Sequence, residues 1–288
     1  MPTIAVATDF STRSDRAMAR AALLAKAHSA DLFLLHVIDD DQPSSVVNAH
    51  RLEADKLMSS LKQSVSDLSG VPARGGIFLG DPFQQIPAAV STAEARMLVM
   101  GPHRRQVLRD QFRGTTVERA IRRSTVPVLV ANAVAAGGYR DVLLTTDLSP
   151  DSAHSIRKAL SLPFLQGSAF SLLHVFEPLA TGHLGRAFVN RDEIAAYVAD
   201  EETQASSDLR EFSKSCELSN VRPVAQAVRR SIERDVLDAA DKWDAQLIVV
   251  GAGQKRFLEA VMLGSVAEGV LRDSERDVLV IPSRVSAS

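Results

Sequence analysis

The chain has 288 residues, which is long enough for two domains of ordinary size. A hydrophobic fraction of 45% and a charged fraction of 24% are typical of a soluble globular protein, and a net charge of −2 provides no basic field for nucleic acid or anionic lipid. Cys216 is the only cysteine, which excludes an internal disulfide and any cysteine-based metal cluster. No apolar run reaches the length of a membrane span and the first residues do not resemble a signal peptide, so we expect a cytoplasmic protein.

The first half of the chain alternates short apolar runs with longer segments of helical spacing. The runs typical of buried strands are Ile4–Thr8, Leu32–Val37, Ala73–Gly80, Leu98–Met100 and Val126–Val130. Strands that alternate with helices indicate a parallel sheet with right-handed crossovers. We therefore expect an α/β unit with an open five-stranded parallel sheet and helices on both faces.

The second half repeats the first over nearly its whole length. The segment "IAVATDFS" from Ile4 matches "VLLTTDLS" from Val142, which aligns Asp9 with Asp147. After a longer middle segment in the second copy, "RMLVMG" matches "QLIVVG". Such self-similarity indicates two copies of one structural unit. We predict one domain at residues 1–136 and a second at 137–288, with the boundary in an Ala- and Gly-rich stretch.

A candidate ligand site lies at the same place in each half. Ligands of open parallel sheets bind beyond the carboxyl ends of the strands, where the strand order reverses. The residues predicted to lie there are Asp9, Val37, Gly101, Gly114 and Thr115 in the first half, and Asp147, Val175, Gly251, Gly264 and Ser265 in the second. They come from the turn after the first strand, the end of the second strand, and a glycine loop after the fourth.

Each glycine loop ends in Gly-Thr or Gly-Ser directly before a helical segment. A small hydroxyl residue there can cap the helix, with Glu118 or Glu268 three residues later completing a capping box. The same geometry offers unpaired backbone N–H groups to phosphate oxygens, while glycine permits close approach. The two interpretations are compatible, and both remain open at this point.

Two loops of equal spacing, each coupled to an Asp after the first strand, resemble the nucleotide-binding members of the universal stress protein family. "GSVAE" at Gly264–Glu268 and "GDP" at Gly80–Pro82 are also typical of that family. The resemblance covers both halves and implies a Rossmann-like fold, similar to adenine nucleotide alpha hydrolases. It also implies an intramolecular pseudo-dimer, in which Val126–Val130 meets Asp277–Ile281, and a possible homodimer.

The resemblance assigns roles to the candidate residues. Asp9 and Asp147 would contact ribose or the Mg²⁺–phosphate region of ATP, and Val37 and Val175 would lie against adenine. The glycine loops, together with Ser265 and Val266, would receive the phosphates. At the strand ends, His36 and His174 are interpreted as hydrogen-bonded structural residues rather than catalytic or metal-binding ones.

The sequence departs from the family pattern at the middle glycine of both loops. Arg104 takes that place in the first half and Gln254 in the second. A side chain there would block the site, or in the case of Arg104 would contact phosphate directly or belong to a solvated basic surface loop. The apolar residues of the second loop, between Phe257 and Leu263, predict a short amphipathic helix. The second half, with Gly264, Ser265 and Val266, is nearer to the family pattern.

These observations predict a stress-response protein that binds an adenine nucleotide in one or both halves. We expect it to be non-catalytic or at most a slow ATPase, because no motif places a nucleophile or general base. The scattered histidines predict no metal held by protein residues alone, only Mg²⁺ that accompanies the nucleotide. The alternative is a tandem interaction scaffold that has lost nucleotide binding and acts through unidentified protein partners. The segment Phe176–Leu218 would lie over a site or mediate association.

Overall fold

The fold was analysed in a computed structural model of the chain. The structure describes residues 1–102, 115–178, 191–218, 220–253, 255–257 and 260–282, and for 191–195, 255–257 and 260–262 it describes only the backbone. Within these ranges no helix is both long and apolar enough to cross a lipid bilayer.

The first half contains five strands and four helices. In chain order they are β1 (Thr3–Ala7), α1 (Thr12–Ala27), β2 (Asp31–Ile38), α2 (Ser44–Ser69), β3 (Ala73–Leu79), α3 (Pro82–Thr92), β4 (Ala95–Met100), α4 (Thr116–Arg123) and β5 (Val128–Val130). All five predicted strands are confirmed, and their ends differ from the predicted ones by at most three residues.

The second half repeats this order, and its described residues also contain a 3₁₀ turn and a short pair of strands. Its elements are β6 (Asp141–Thr145), α5 (Pro150–Leu160), a 3₁₀ turn (Pro163–Leu165), β7 (Ala169–Phe176), α6 (Arg191–Ser215), β8 (Val221–Ala227), α7 (Ile232–Lys242), β9 (Leu247–Gly251), β10 (Lys255–Phe257), β11 (Ala260–Met262), α8 (Ser265–Asp273) and β12 (Asp277–Ile281). Helix α6 is the counterpart of α2 and almost equally long. Most of the extra length of the second middle segment therefore precedes α6, in residues 177–190.

Both halves contribute to one ten-stranded sheet of order β3-β2-β1-β4-β5-β12-β9-β6-β7-β8. The five strands of each half are parallel to one another. Strands β5 and β12 pair antiparallel, with Leu279 opposite Leu129. The last strands of the two halves thus meet as the resemblance implied.

The strands are apolar throughout because both faces of the sheet are covered. In β2, Leu32 and Leu34 pack into the core on the face of α1 and α2, whereas Phe33 and Leu35 pack on the opposite face with α3. Neighbouring residues of a strand point to opposite faces, so continuous apolar runs are required when helices cover both. Because both faces are covered, a ligand can approach the sheet at the carboxyl ends of the strands.

The segment that joins the halves is held by a buried ion pair. Arg20 Nε of α1 lies 2.8 Å from Asp277 Oδ2 of β12, and Asp277 is fully buried. The same carboxylate accepts hydrogen bonds from Tyr139 Oη at 2.6 Å and from the Ala133 N–H at 2.8 Å. The Arg20 guanidinium also donates to the Gly137 carbonyl at 2.7 Å. One carboxylate thereby connects the first helix, the linker and the last strand.

The predicted amphipathic helix in the second loop is wrong. The backbone of β10 and β11 forms a two-stranded antiparallel hairpin, with Lys255 opposite Met262 and Phe257 opposite Ala260. Apolar residues in a short segment fit both helical and strand spacing, and here cross-strand hydrogen bonds decide between them. The corresponding first-half loop, residues 103–114, lies outside the described residues.

The predicted helix caps are confirmed in one half and wrong in the other. Thr115 is the N-cap of α4, and its Oγ1 accepts a hydrogen bond from the Glu118 N–H at 3.2 Å. In the second half Gly264 occupies the N-cap position and Ser265 is the first helical residue, without a side-chain cap. The helices therefore begin one residue apart in the two copies, which leaves the Ser265 hydroxyl without a capping role.

Replacing Thr115 by alanine is expected to lower the free energy of unfolding by about 1 kcal/mol, because a capping hydrogen bond is lost. Ser265→Ala is the matched control and is expected to change stability very little. Urea denaturation followed by circular dichroism measures both. Equal losses for the two variants would contradict the difference in cap geometry.

Candidate functional site

A cavity of about 500 Å³ opens at the carboxyl ends of β6 and β9 in the second half. These are the two neighbouring strands between which the order of that half reverses, since β6 leads to β7 on one side and β9 leads to β12 on the other. Helix α5 covers one face of the sheet here, and α7 and α8 cover the other. The cavity thus lies where open parallel sheets bind their ligands.

The cavity lining has two chemical parts. Apolar side chains come mainly from β7, α7 and the approach to α8: Leu173, Val175, Val250, Ile232, Val236, Leu263 and Val266. Polar groups come from β6, the turn after it, α5 and the start of α8: Thr145, Thr146, Asp147, Ser149, Asp151, Ser152, Ser155, Ser265 and Glu268. The cavity can therefore hold one ligand that combines a flat apolar group with a polar, charged group.

The turn after β6 holds Asp147 in an ionised state. Asp147 Oδ1 accepts a hydrogen bond from the Ser149 N–H at 3.0 Å, and Leu148 between them has a left-handed φ of 63°. Burial raises the pKa of the Asp147 carboxyl, but hydrogen bonds from Ser149 and Ser152 outweigh it and place the pKa below its ordinary value. A non-glycine residue in a left-handed conformation is uncommon and accumulates at functional sites.

The start of α8 forms another wall of the cavity. Gly253 has a φ of 76°, and a Cβ there would lie 3.1 Å from Gly264 Cα, so the chain closes on itself at this point. The Gly264 N–H donates to the Ala252 carbonyl at 2.9 Å, which closes the loop before the helix. The next three N–H groups, of Ser265, Val266 and Ala267, belong to the first turn and have no carbonyl within the helix to accept them. They provide a partial positive charge at the cavity.

The first half has the same turn but a different neighbourhood. Asp9 Oδ1 accepts a hydrogen bond from the Ser11 N–H at 3.0 Å, and Phe10 has a left-handed φ of 54°. Asp9 also forms an ion pair with Arg13 at 3.2 Å. Burial raises the pKa of Asp9, but the hydrogen bonds of Ser11 and Ser14 and the charge of Arg13 hold it below the ordinary value.

The strand-end histidines are hydrogen-bonded to the backbone, as predicted. His36 Nδ1 lies 2.7 Å from the Thr8 carbonyl oxygen, and His174 Nδ1 lies 3.0 Å from that of Thr146. Since a carbonyl only accepts, Nδ1 carries the proton and donates in both rings. Each imidazole therefore connects the end of the second strand of its half to the turn after the first.

Comparison with known proteins assigns the chain to a family. The model of the universal stress protein family matches residues 1–132 and again residues 138–282. The chain belongs to the universal stress protein family. The two matches correspond to the two repeats.

Curated universal stress proteins resemble one repeat, and solved structures resemble the whole chain. Universal stress protein A of Yersinia pestis is 28% identical over 148 residues, covering 51% of this chain and 93% of the relative. A crystal structure of a universal stress protein from Archaeoglobus fulgidus covers 98% of both chains at 17% identity and a TM-score of 0.69. A functionally unknown protein from Pseudomonas aeruginosa covers 98% of this chain at a TM-score of 0.64. At such identity the structures show a shared two-unit fold.

In this universal stress protein, six predicted site residues line the second-half cavity. They are Asp147, Val175, Gly251, Gly264, Ser265 and Val266. The first-half residues Asp9, Val37, Gly101 and Thr115 occupy the equivalent positions at the ends of β1, β2 and β4 and the start of α4. Arg104, Gly114 and Gln254 lie outside the described residues.

The sequence reasoning missed, among others, the cavity residues of two helices. Ser152 and Ser155 lie on one side of α5 three residues apart, and Ile232 and Val236 lie four apart on α7. Helical spacing from the Asp147 turn could have indicated the two serines. The α7 residues gave no comparable signal, because only the packing of α7 brings them to the end of β6.

Proposed function

We propose that this universal stress protein binds ATP, with Mg²⁺, in the cavity of its second half. It would act in the stress response by binding, without catalysis or with at most slow hydrolysis. The observation that carries the proposal is the cavity itself, which combines an apolar lining with a helix N-terminus and an ionised carboxylate at the point where the strand order reverses. Such a cavity fits a planar base on the side of Val175 and phosphates near Ser265.

The charges of the lining support a nucleotide that carries a divalent cation. Asp147, Asp151 and Glu268 contribute carboxylates, and none of the described lining residues is lysine or arginine. A free triphosphate would be repelled by these carboxylates, whereas Mg²⁺ accepts carboxylate, hydroxyl and phosphate oxygens together. The residues present therefore fit Mg²⁺, which would supply the positive charge that the described lining lacks.

Calorimetric titration of Mg-ATP into nucleotide-free protein tests the proposal. We expect a dissociation constant on the order of micromolar, about −8 kcal/mol, and clearly weaker binding when Mg²⁺ is removed by EDTA. Phosphate release is measured in parallel, and rapid turnover would contradict the non-catalytic role. If no heat and no competition are seen at millimolar nucleotide, the proposal is wrong and the interaction scaffold is favoured.

A further inference from the structure

The two halves differ in the residue that follows the turn after the first strand. Arg13 of the first half is aligned with Asp151 of the second, at the same place in the first turn of α1 and α5. Arg13 pairs with Asp9 at 3.2 Å, whereas Asp151 lines the second-half cavity beside Asp147. The charge that faces the strand ends is thus reversed between the copies.

The serine hydroxyl of the turn has a different hydrogen-bond partner in each half. Ser11 Oγ donates to Asp9 and makes no cap for α1, although Ser11 is the N-cap residue. Ser149 Oγ instead accepts the Ser152 N–H at 3.1 Å and caps α5. In the first half the carboxylate of Asp9 therefore contacts both the Ser11 hydroxyl and the Arg13 guanidinium.

The first turn of α1 also lies closer to the sheet than that of α5. A Cβ built on Gly101 at the end of β4 would lie 2.6 Å from the Arg13 carbonyl oxygen. On the equivalent Gly251 the nearest atom is the Ser155 Oγ at 3.3 Å, and no backbone atom of α5 lies within 4 Å. The space between the first helix and the fourth strand, which is open in the second half, is taken by the protein's own backbone in the first.

We propose that ligand binding is confined to the second half, and that the first half is occupied by its own Arg13 and the first turn of α1. This inference rests on the proposed function, since it specifies where the nucleotide binds. The Arg13 guanidinium would take the place of a ligand cation at Asp9, and the α1 backbone would take the space of the phosphates beside Gly101. One chain would then bind one nucleotide, despite two copies of the fold.

Calorimetry with a matched pair of tryptophan variants tests the proposal. Val175 lines the cavity, and Val37 is its first-half counterpart at the end of β2. We expect a stoichiometry of one for the unaltered protein and a loss of Mg-ATP affinity of at least about 100-fold for Val175→Trp, because the indole fills the space of the base. Val37→Trp is expected to leave stoichiometry and affinity unchanged.

Labelling of the unaltered protein by 8-azido-ATP with Mg²⁺, followed by peptide mapping, gives a measurement that does not depend on the folding of a variant. Labelled peptides from the second half alone would support the proposal. A stoichiometry of two, labels in both halves, or loss of binding in Val37→Trp rather than Val175→Trp would overturn it while leaving nucleotide binding intact. No binding by the unaltered protein would overturn the proposed function and this inference together.

Discussion

Replacing Asp277 by alanine is expected to lower the free energy of unfolding by about 3–5 kcal/mol, because one partner of a buried ion pair is removed. Arg20 keeps only 5% of its side chain exposed, so its charge would stay in the interior without the carboxylate. The Tyr139 hydroxyl and the Ala133 N–H would lose their acceptor at the same time. The unpaired buried charge of Arg20 and the unsatisfied buried donors of Tyr139 and Ala133 therefore both destabilise this variant.

The Tyr139 hydroxyl stays protonated at neutral pH and remains a hydrogen-bond donor. Burial raises the pKa of its hydroxyl well above the ordinary value, and the neighbouring Asp277 charge raises it further. The Arg20 guanidinium also lies over the Tyr139 ring, 4.7 Å from its centre. Arg20, Tyr139 and Asp277 thus connect the linker to both halves.

Urea denaturation measures this effect, with Trp243 fluorescence reporting on the second half and circular dichroism on both. The double variant Arg20→Met with Asp277→Leu is expected to be less destabilised than Asp277→Ala, because both buried charges are removed together. Asp55→Ala is the control for an exposed pair, since Asp55 and Arg51 are 3.9 Å apart and largely exposed. A loss below about 1 kcal/mol for Asp277→Ala would show that the pair is not a structural connection between the halves.

Replacing Gly75 by alanine is expected to lower the free energy of unfolding by about 3 kcal/mol or more. Gly75 lies within β3 with a φ of 133°, which L-amino acids rarely adopt. A Cβ there would lie only 1.8 Å from the Leu34 carbonyl oxygen of β2, the strand with which β3 pairs. A clash with backbone cannot be relieved by rotating a side chain, so the two strands would have to separate.

The adjacent Gly76 provides the matched control. A Cβ on Gly76 would have nothing within 4 Å, so Gly76→Ala is expected to be neutral or slightly stabilising. Urea denaturation followed by circular dichroism compares the two variants, which differ by one position in the same strand. Similar stability of both would contradict the close approach of β2 and β3 at Gly75.

The sequence by itself determined the architecture of this protein. The internal repeat and the alternation of apolar runs with helical segments predicted two five-stranded units, and the turn residues Asp9 and Asp147 lie where those strands end. These predictions succeed because a strand buried on both faces must be apolar throughout, whatever lies next to it. The N-cap of α4 at Thr115 was also predictable, since a cap depends on a few neighbouring residues.

Only the tertiary structure showed which residues form the second-half cavity and where the first turn of α1 lies in the first half. The β10–β11 hairpin and the N-cap at Gly264 depend on cross-strand pairing and on loop closure against Ala252, neither of which a local pattern contains. The sequence contains the difference between Arg13 and the aligned Asp151, but the effect of Arg13 on the first-half site depends on where α1 lies relative to Gly101. Positions of helices relative to strand ends arise from packing over the whole domain, and shifts of an ångström or two there determine whether a ligand fits.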